Sequence, residues 1–108
     1  MQKYTKIYLD AFGYGEQDYT PSEISENRAV DINHIDNRGM GGDPKGEKDR
    51  IENLMALTRK EHDEFGDKNE HMSFLYLKHK EFMILHGVKF DEKFINDKIQ
   101  KFNMYINQ

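Results

Sequence analysis

The sequence predicts an α+β fold, a single domain over residues 1–108 built on two short strands, a long loop and a helix in ββα order. Three observations predict it. Ala29 to Ile35 has the branched, alternating pattern of a strand, with Val30, Ile32 and His34 on one face and Asp31, Asn33 and Ile35 on the other. Leu54 to Thr58 is a second short apolar run. Thr58 and Glu61 then stand in the S/T-x-x-E spacing of a capping box, which starts a helix near Arg59 and places His62 close to its first turn. The core of the domain is expected over about residues 20–66, with a helical extension over about 67–108.

The elements follow in chain order. Residues 3–12 read as a short helix, because Tyr4, Tyr8 and Phe12 recur every four positions and Gly13 and Gly15 end the pattern. Gly13 to Asn27 is irregular, punctuated by Pro21. Between the strands, Asp36 to Glu52 is a loop built on Arg38-Gly39-Met40-Gly41-Gly42-Asp43-Pro44. Loops beyond about 12–15 residues are uncommon inside small domains and are usually functional or disordered. This one needs an internal organiser. Phe65 and Gly66 close the helix after the second strand. Asp67-x-x-Glu70 is a further box-like start, followed by Met72, Leu75, His79, Phe82 and Met83 at helical spacing. Gly87 breaks that helix, and Asp91 caps a last one with Ile95, Ile99, Phe102 and Ile106 on one stripe. Both stripes suit core or dimer packing.

Composition narrows the chemistry. The 108 residues include no cysteine, so disulfides and thiolate metal sites are excluded, and His, Asp, Glu and Asn remain as ligands. No apolar run approaches the roughly 18 residues of a membrane span, and the N-terminus lacks a signal-like apolar core. A cytoplasmic location is the expectation. The net charge of −4 argues mildly against nucleic acid, but residues 28–62 carry seven basic and seven acidic side chains, so the acidic excess lies elsewhere.

The informative residues are Asp31-Ile32-Asn33-His34-Ile35-Asp36, then Asn53, then Arg59-Lys60-Glu61-His62. Neighbours on an ideal strand point to opposite faces, but at a frayed strand end one of Asn33 and His34 can reach a metal while the other faces an incoming water. The helix brings His62 alongside. This arithmetic fits a one-metal nuclease. The phosphorus under attack gathers negative charge that a divalent cation stabilises. A neutral imidazole, with an ordinary pKa near about 6.5, suits deprotonation of the water at neutral pH. Arg38 and Arg59 flank the constellation and could hold neighbouring phosphates. The glycine-rich loop lacks the G-x-x-x-x-G-K-[ST] arrangement and is not a nucleotide cradle.

These residues resemble a known family. Ala29-Val30-Asp31-Ile32-Asn33-His34-Ile35, the Arg38–Gly42 loop, Ile51-Glu52-Asn53-Leu54-Met55-Ala56-Leu57 and His62 are similar to an HNH endonuclease of the bacterial and phage type, over about residues 20–66. The resemblance implies a ββα-metal (His-Me finger) core carrying an N-terminal segment and two C-terminal helices. It implies DNA as substrate and one divalent metal, with Mg, Mn, Ni and Zn left open, in a bacterial or phage-infected cell. His34 would be the general base and His62 a metal ligand. Asn53 would order the loop through backbone hydrogen bonds. Asn33 stands where the family usually has a metal-binding Asp or His; it would be the second ligand, or Asp31 or Asp36 would contribute instead, as a ligand or as a partner behind one. Many members also bind structural zinc through two Cys-x-x-Cys pairs, whose positions here read Ser22, Ser25, Thr58 and Glu61. That zinc is absent, and the capping box and C-terminal helices are expected to take over its stabilising role.

Two rivals remain at the level of sequence. One is an HNH-fold module that binds nucleic acid with weak or no catalysis, motivated by Asn33 and the acidic surface. The other is a protein-interaction domain that docks through the methionine- and aromatic-rich C-terminal helices. Oligomeric state stays open, since a monomer would nick one strand and a homodimer could cut both.

Overall fold

The computed structural model describes residues 1–37 and 47–106. It is a mixed α+β structure with, among those residues, helices α1 (Lys3–Phe12), α2 (Arg59–Phe65), α3 (Asn69–Leu85) and α4 (Glu92–Asn103) and strands β1 (Asp31–His34) and β2 (Leu54–Leu57). A 3₁₀ turn, Ile51–Asn53, leads directly into β2. No helix among the described residues is long and apolar enough to cross a membrane. Arg38 and the Gly39–Gly42 motif lie outside the described residues.

The two strands pair antiparallel, with Asp31 opposite Leu57, Ile32 opposite Ala56, Asn33 opposite Met55 and His34 opposite Leu54. All four β2 side chains are buried, because this short strand is covered on both faces. On one face Leu54 and Ala56 pack with Tyr8 and Leu9 of α1, joined by the half-buried Ile32. On the other, Met55 and Leu57 join Met72, Leu75, Tyr76 and Met83 of α3 and Ile95 and Phe102 of α4. Each such side chain contributes about 1.5–3 kcal/mol on burial, so β2 is the most heavily invested segment of the sheet.

β1 is shorter than the predicted Ala29–Ile35. The Ala29 amide donates away from β2 to the Thr20 carbonyl at 2.9 Å, so the chain leaves the ladder there, whereas the Ile35 amide keeps the register and donates to the Asn53 carbonyl at 2.9 Å, where the partner segment is already the 3₁₀ turn. Thr58 drops out of the second strand because it becomes the N-cap of α2. Its hydroxyl accepts from the Glu61 amide at 3.1 Å, while Glu61 Oε1 accepts from the Thr58 amide at 2.9 Å. The expected box at Asp67 and Glu70 does not form. Asp67 adopts a left-handed conformation (φ 60°), and Lys68, without a side-chain cap, precedes α3. At Asp91 the cap is made, its carboxylate accepting from the Phe94 amide at 3.1 Å. Of the α4 stripe, Ile95 and Phe102 are buried and Ile99 half-buried, whereas Ile106 lies beyond the helix and is exposed.

Candidate functional site

A cavity of about 350 Å³ opens where β1, α1 and α2 meet, and Tyr4, Asn33, His34, Asn37, His62 and Asp67 contribute to its lining. His34 is the last residue of β1, facing α1, and its ring meets Tyr4 edge-on with centroids 4.5 Å apart. Its Nε2 lies 2.6 Å from Oδ1 of Asp49, and both side chains are largely sheltered from solvent. Asn33 is buried, and its Nδ2 has no hydrogen-bond partner among the described residues. A buried N–H donor without a partner costs about 1–3 kcal/mol, so it marks either a strained position or one that waits for an acceptor.

His62 reaches the cavity from α2, with its Nδ1 3.4 Å from the Arg59 guanidinium. Its ring lies against Gly66: a Cβ built there would stand 2.7 Å from His62 Cδ2 and 3.3 Å from Nε2. Only a residue without a side chain leaves that ring its place. The start of α2 is fixed in turn by Ser22, buried before β1, whose hydroxyl donates to Glu61 Oε1 at 2.5 Å. Ser22 Oγ also accepts from the Ile24 and Ser25 amides at 3.0 and 3.2 Å. Burial pulls the Glu61 carboxyl upward, but hydrogen bonds from Ser22, Ser25 and Thr58 outweigh it and hold the group below its ordinary value.

Asn53 ties together the two described ends of the long loop. Its Oδ1 accepts from the Asp36 amide at 2.8 Å, and its Nδ2 donates to the carbonyls of Asp36 at 3.0 Å and Lys48 at 2.9 Å. From α3, the Tyr76 hydroxyl donates to the same Oδ1 at 2.7 Å. Every polar atom of this buried amide is therefore used.

The remaining sequence-picked residues divide. Asp31 is at the cavity, and its carboxylate pairs with Arg59 at 2.5 Å, so the two hold each other at the rim. Asp36 is elsewhere: it lines a separate pocket with Tyr76 and Phe94, between Lys48 at 3.3 Å and Lys98 at 3.0 Å. Burial raises its carboxyl, but the two ammonium groups prevail and depress it. Several residues at the site escaped sequence reasoning, Tyr4 and Asn37 among them. Gly66 had a signal, a glycine four positions after a candidate ligand. Asp49 and Asp67 had none, since their partners His34 and Asn37 are 15 and 30 residues away.

Among the described residues no group of three His, Asp or Glu side chains converges closely enough to cage a metal. The donors that share the cavity are still those a divalent cation takes: an imidazole, a carboxamide and the carboxylates of Asp31 and Asp67. The His62 ring seated at Gly66 and the Asn33 carboxamide oxygen are of the kind a divalent cation takes, whereas the open Asn33 Nδ2 is a hydrogen-bond donor that suits a water or phosphoryl oxygen rather than the cation itself. Comparison with protein-family models, with curated proteins and with solved structures found no match.

Proposed function

We propose that this chain is a metal-dependent HNH-type endonuclease that hydrolyses DNA phosphodiester bonds, with His34 as general base and His62 and Asn33 as ligands of one divalent cation. The reading is carried by one observation: His34, Asn33 and His62, drawn from a strand and a distant helix, line the same cavity. When bound, the cation supplies positive charge to the phosphoryl oxygens and the leaving oxygen. His34 takes a proton from water, whose oxygen bonds to phosphorus. The bond from phosphorus to the 3′ oxygen breaks, and that oxygen takes a proton from solvent. Arg59, more than half exposed beside Asp31, contacts the adjoining phosphate. Asn53 keeps the loop ends in register with His34.

A second reading, a nucleic-acid-binding module with little catalysis, is favoured by one feature. Asn33 brings a neutral donor where a carboxylate or imidazole would hold the cation more tightly. Nicking of supercoiled plasmid in the presence of Mg²⁺, Mn²⁺, Ni²⁺ or Zn²⁺, with His34→Ala alongside, separates the two. Metal-dependent relaxation that disappears in the variant supports the nuclease. Folded wild-type protein that cuts with none of the metals removes it and leaves the binding module.

A further inference from the structure

We propose that Asp49 is the positioning residue for His34, holding the ring so that Nδ1 is its proton-accepting atom, and that Asn53 presents Asp49 through the Lys48 carbonyl. The assignment to a base rests on the nuclease reading; the hold on the ring does not. At 2.6 Å, a carboxylate oxygen and a ring nitrogen cannot both be acceptors, and the carboxylate has no proton to give when ionised. Nε2 therefore carries the hydrogen. In the neutral ring the lone pair is left on Nδ1.

The ring has little freedom to turn away. Tyr4 meets it edge-on from α1, and the side chains of His34 and Asp49 are only 12% and 14% exposed. The carboxylate is itself delivered by a chain of contacts that begins in the helical extension. Tyr76 donates to Asn53, Asn53 donates to the Lys48 carbonyl, and Asp49 follows Lys48 directly. The same asparagine holds Asp36, two residues beyond His34. Loop closure and alignment of the base are thus one device. When Nδ1 takes the proton from water, the ring becomes an imidazolium next to a carboxylate that is already in place, and the proton later leaves to solvent.

The experiment has two arms on the full chain. In metal-free protein, two-bond ¹⁵N–¹H spectra of the neutral His34 ring read its tautomer directly. Wild type is expected to show hydrogen on Nε2, and Asp49→Ala a mixture of both tautomers. In the second arm, plasmid nicking by Asp49→Asn, checked for fold by its amide spectrum, is expected to show kcat lowered about 10- to 100-fold with KM for DNA unchanged. A ring that stays hydrogenated on Nε2 in Asp49→Ala overturns the proposal, and so does an unaltered kcat in Asp49→Asn. If wild type cuts no DNA, the nuclease reading fails by itself, and the spectra alone decide whether Asp49 sets the ring.

Discussion

Ser22 donates a 2.5 Å hydrogen bond to Glu61 across 39 residues, so the segment before β1 is fastened to the residue that precedes His62. One carboxylate oxygen thereby serves the capping box and the long-range tie together. The buried Ser22 and Glu61 and the half-buried Thr58 thus form one cluster of hydroxyl, amide and carboxylate groups. Removing Glu61 should then loosen more than one turn of helix. Glu61→Ala is expected to cost about 2 kcal/mol or more, from the lost cap and the orphaned Ser22 hydroxyl. Because the folded carboxyl is depressed, its contribution is complete above the ordinary glutamate value and disappears as pH falls through the lower folded value. Urea midpoints at neutral and acidic pH should converge between wild type and Glu61→Gln; a constant gap between them would contradict this.

Gly66→Ala should disturb His62 without touching the core. The new Cβ would stand 2.5 Å from the His62 carbonyl oxygen as well as 2.7 Å from its ring, and a backbone atom cannot give way cheaply. A loss of about 1–3 kcal/mol in stability is expected, together with weaker binding of Mn²⁺ by calorimetry. Wild-type metal affinity in this variant would mean that the ring's seat does not matter to the cation.

Asn33→Asp should have opposite effects with and without metal. In metal-free protein it puts a carboxylate at a buried position and lowers the melting temperature. With a divalent cation, affinity should rise about tenfold or more, worth roughly 1.4 kcal/mol, and the metal-induced shift in melting temperature should grow. Equal shifts in wild type and variant would take Asn33 out of the ligand set.

His79 is fully buried, between Glu23 Oε1 at 2.7 Å from Nδ1 and the Ile51 carbonyl at 2.6 Å from Nε2. Both ring nitrogens face acceptors, so the ring is doubly protonated. Burial opposes the charge, but Glu23, the Ile51 carbonyl and Glu52 outweigh it and raise the group above its ordinary value. The Tyr8 hydroxyl donates to the other Glu23 oxygen at 2.7 Å, and burial and Glu23 push its own titration far upward. The stabilisation by His79 is therefore complete below about 6.5, the unfolded value, and is lost as pH rises through the raised folded value. Melting temperature should decline on the alkaline side in wild type and much less in His79→Gln. Glu23→Ala, which strands a buried imidazolium, is expected to cost about 3–5 kcal/mol.

Asn53→Ala should free both described ends of the loop at once. It orphans the Asp36 amide and the Tyr76 hydroxyl, and it releases the Lys48 carbonyl. Hydrogen exchange at the Asp36 amide should accelerate far more than at amides of β2, which remain in the ladder. Uniform acceleration would indicate global destabilisation instead.

What could be read in the sequence is what depends on neighbours. The Thr58–Glu61 box, the Asp91 cap and the stripe of α3 are set within one or two turns, and each appears in the structure. His34, Asn33 and His62 could be picked by residue type and separation, and they share a cavity. Contacts between distant segments left no such trace. His79 reads as one more apolar-face position on α3, since its partner Glu23 lies 56 residues earlier in an irregular stretch. Asp36 looked available as a ligand until the fold brought Lys98 to it from α4. The Asp67 box failed because the turn after α2 required a left-handed residue there, and a side chain in that conformation is not placed to cap the following helix.

The clasp formed by Asn53 also makes this chain a natural host for insertion. With Asp36 and Lys48 held by one side chain, sequence spliced between residues 37 and 47 would start and finish at fixed points beside His34. Doubling the length of such an insert adds only about 0.6 kcal/mol of closure entropy. A library of peptides of varied length could be carried there, each with both of its ends fixed by the same asparagine.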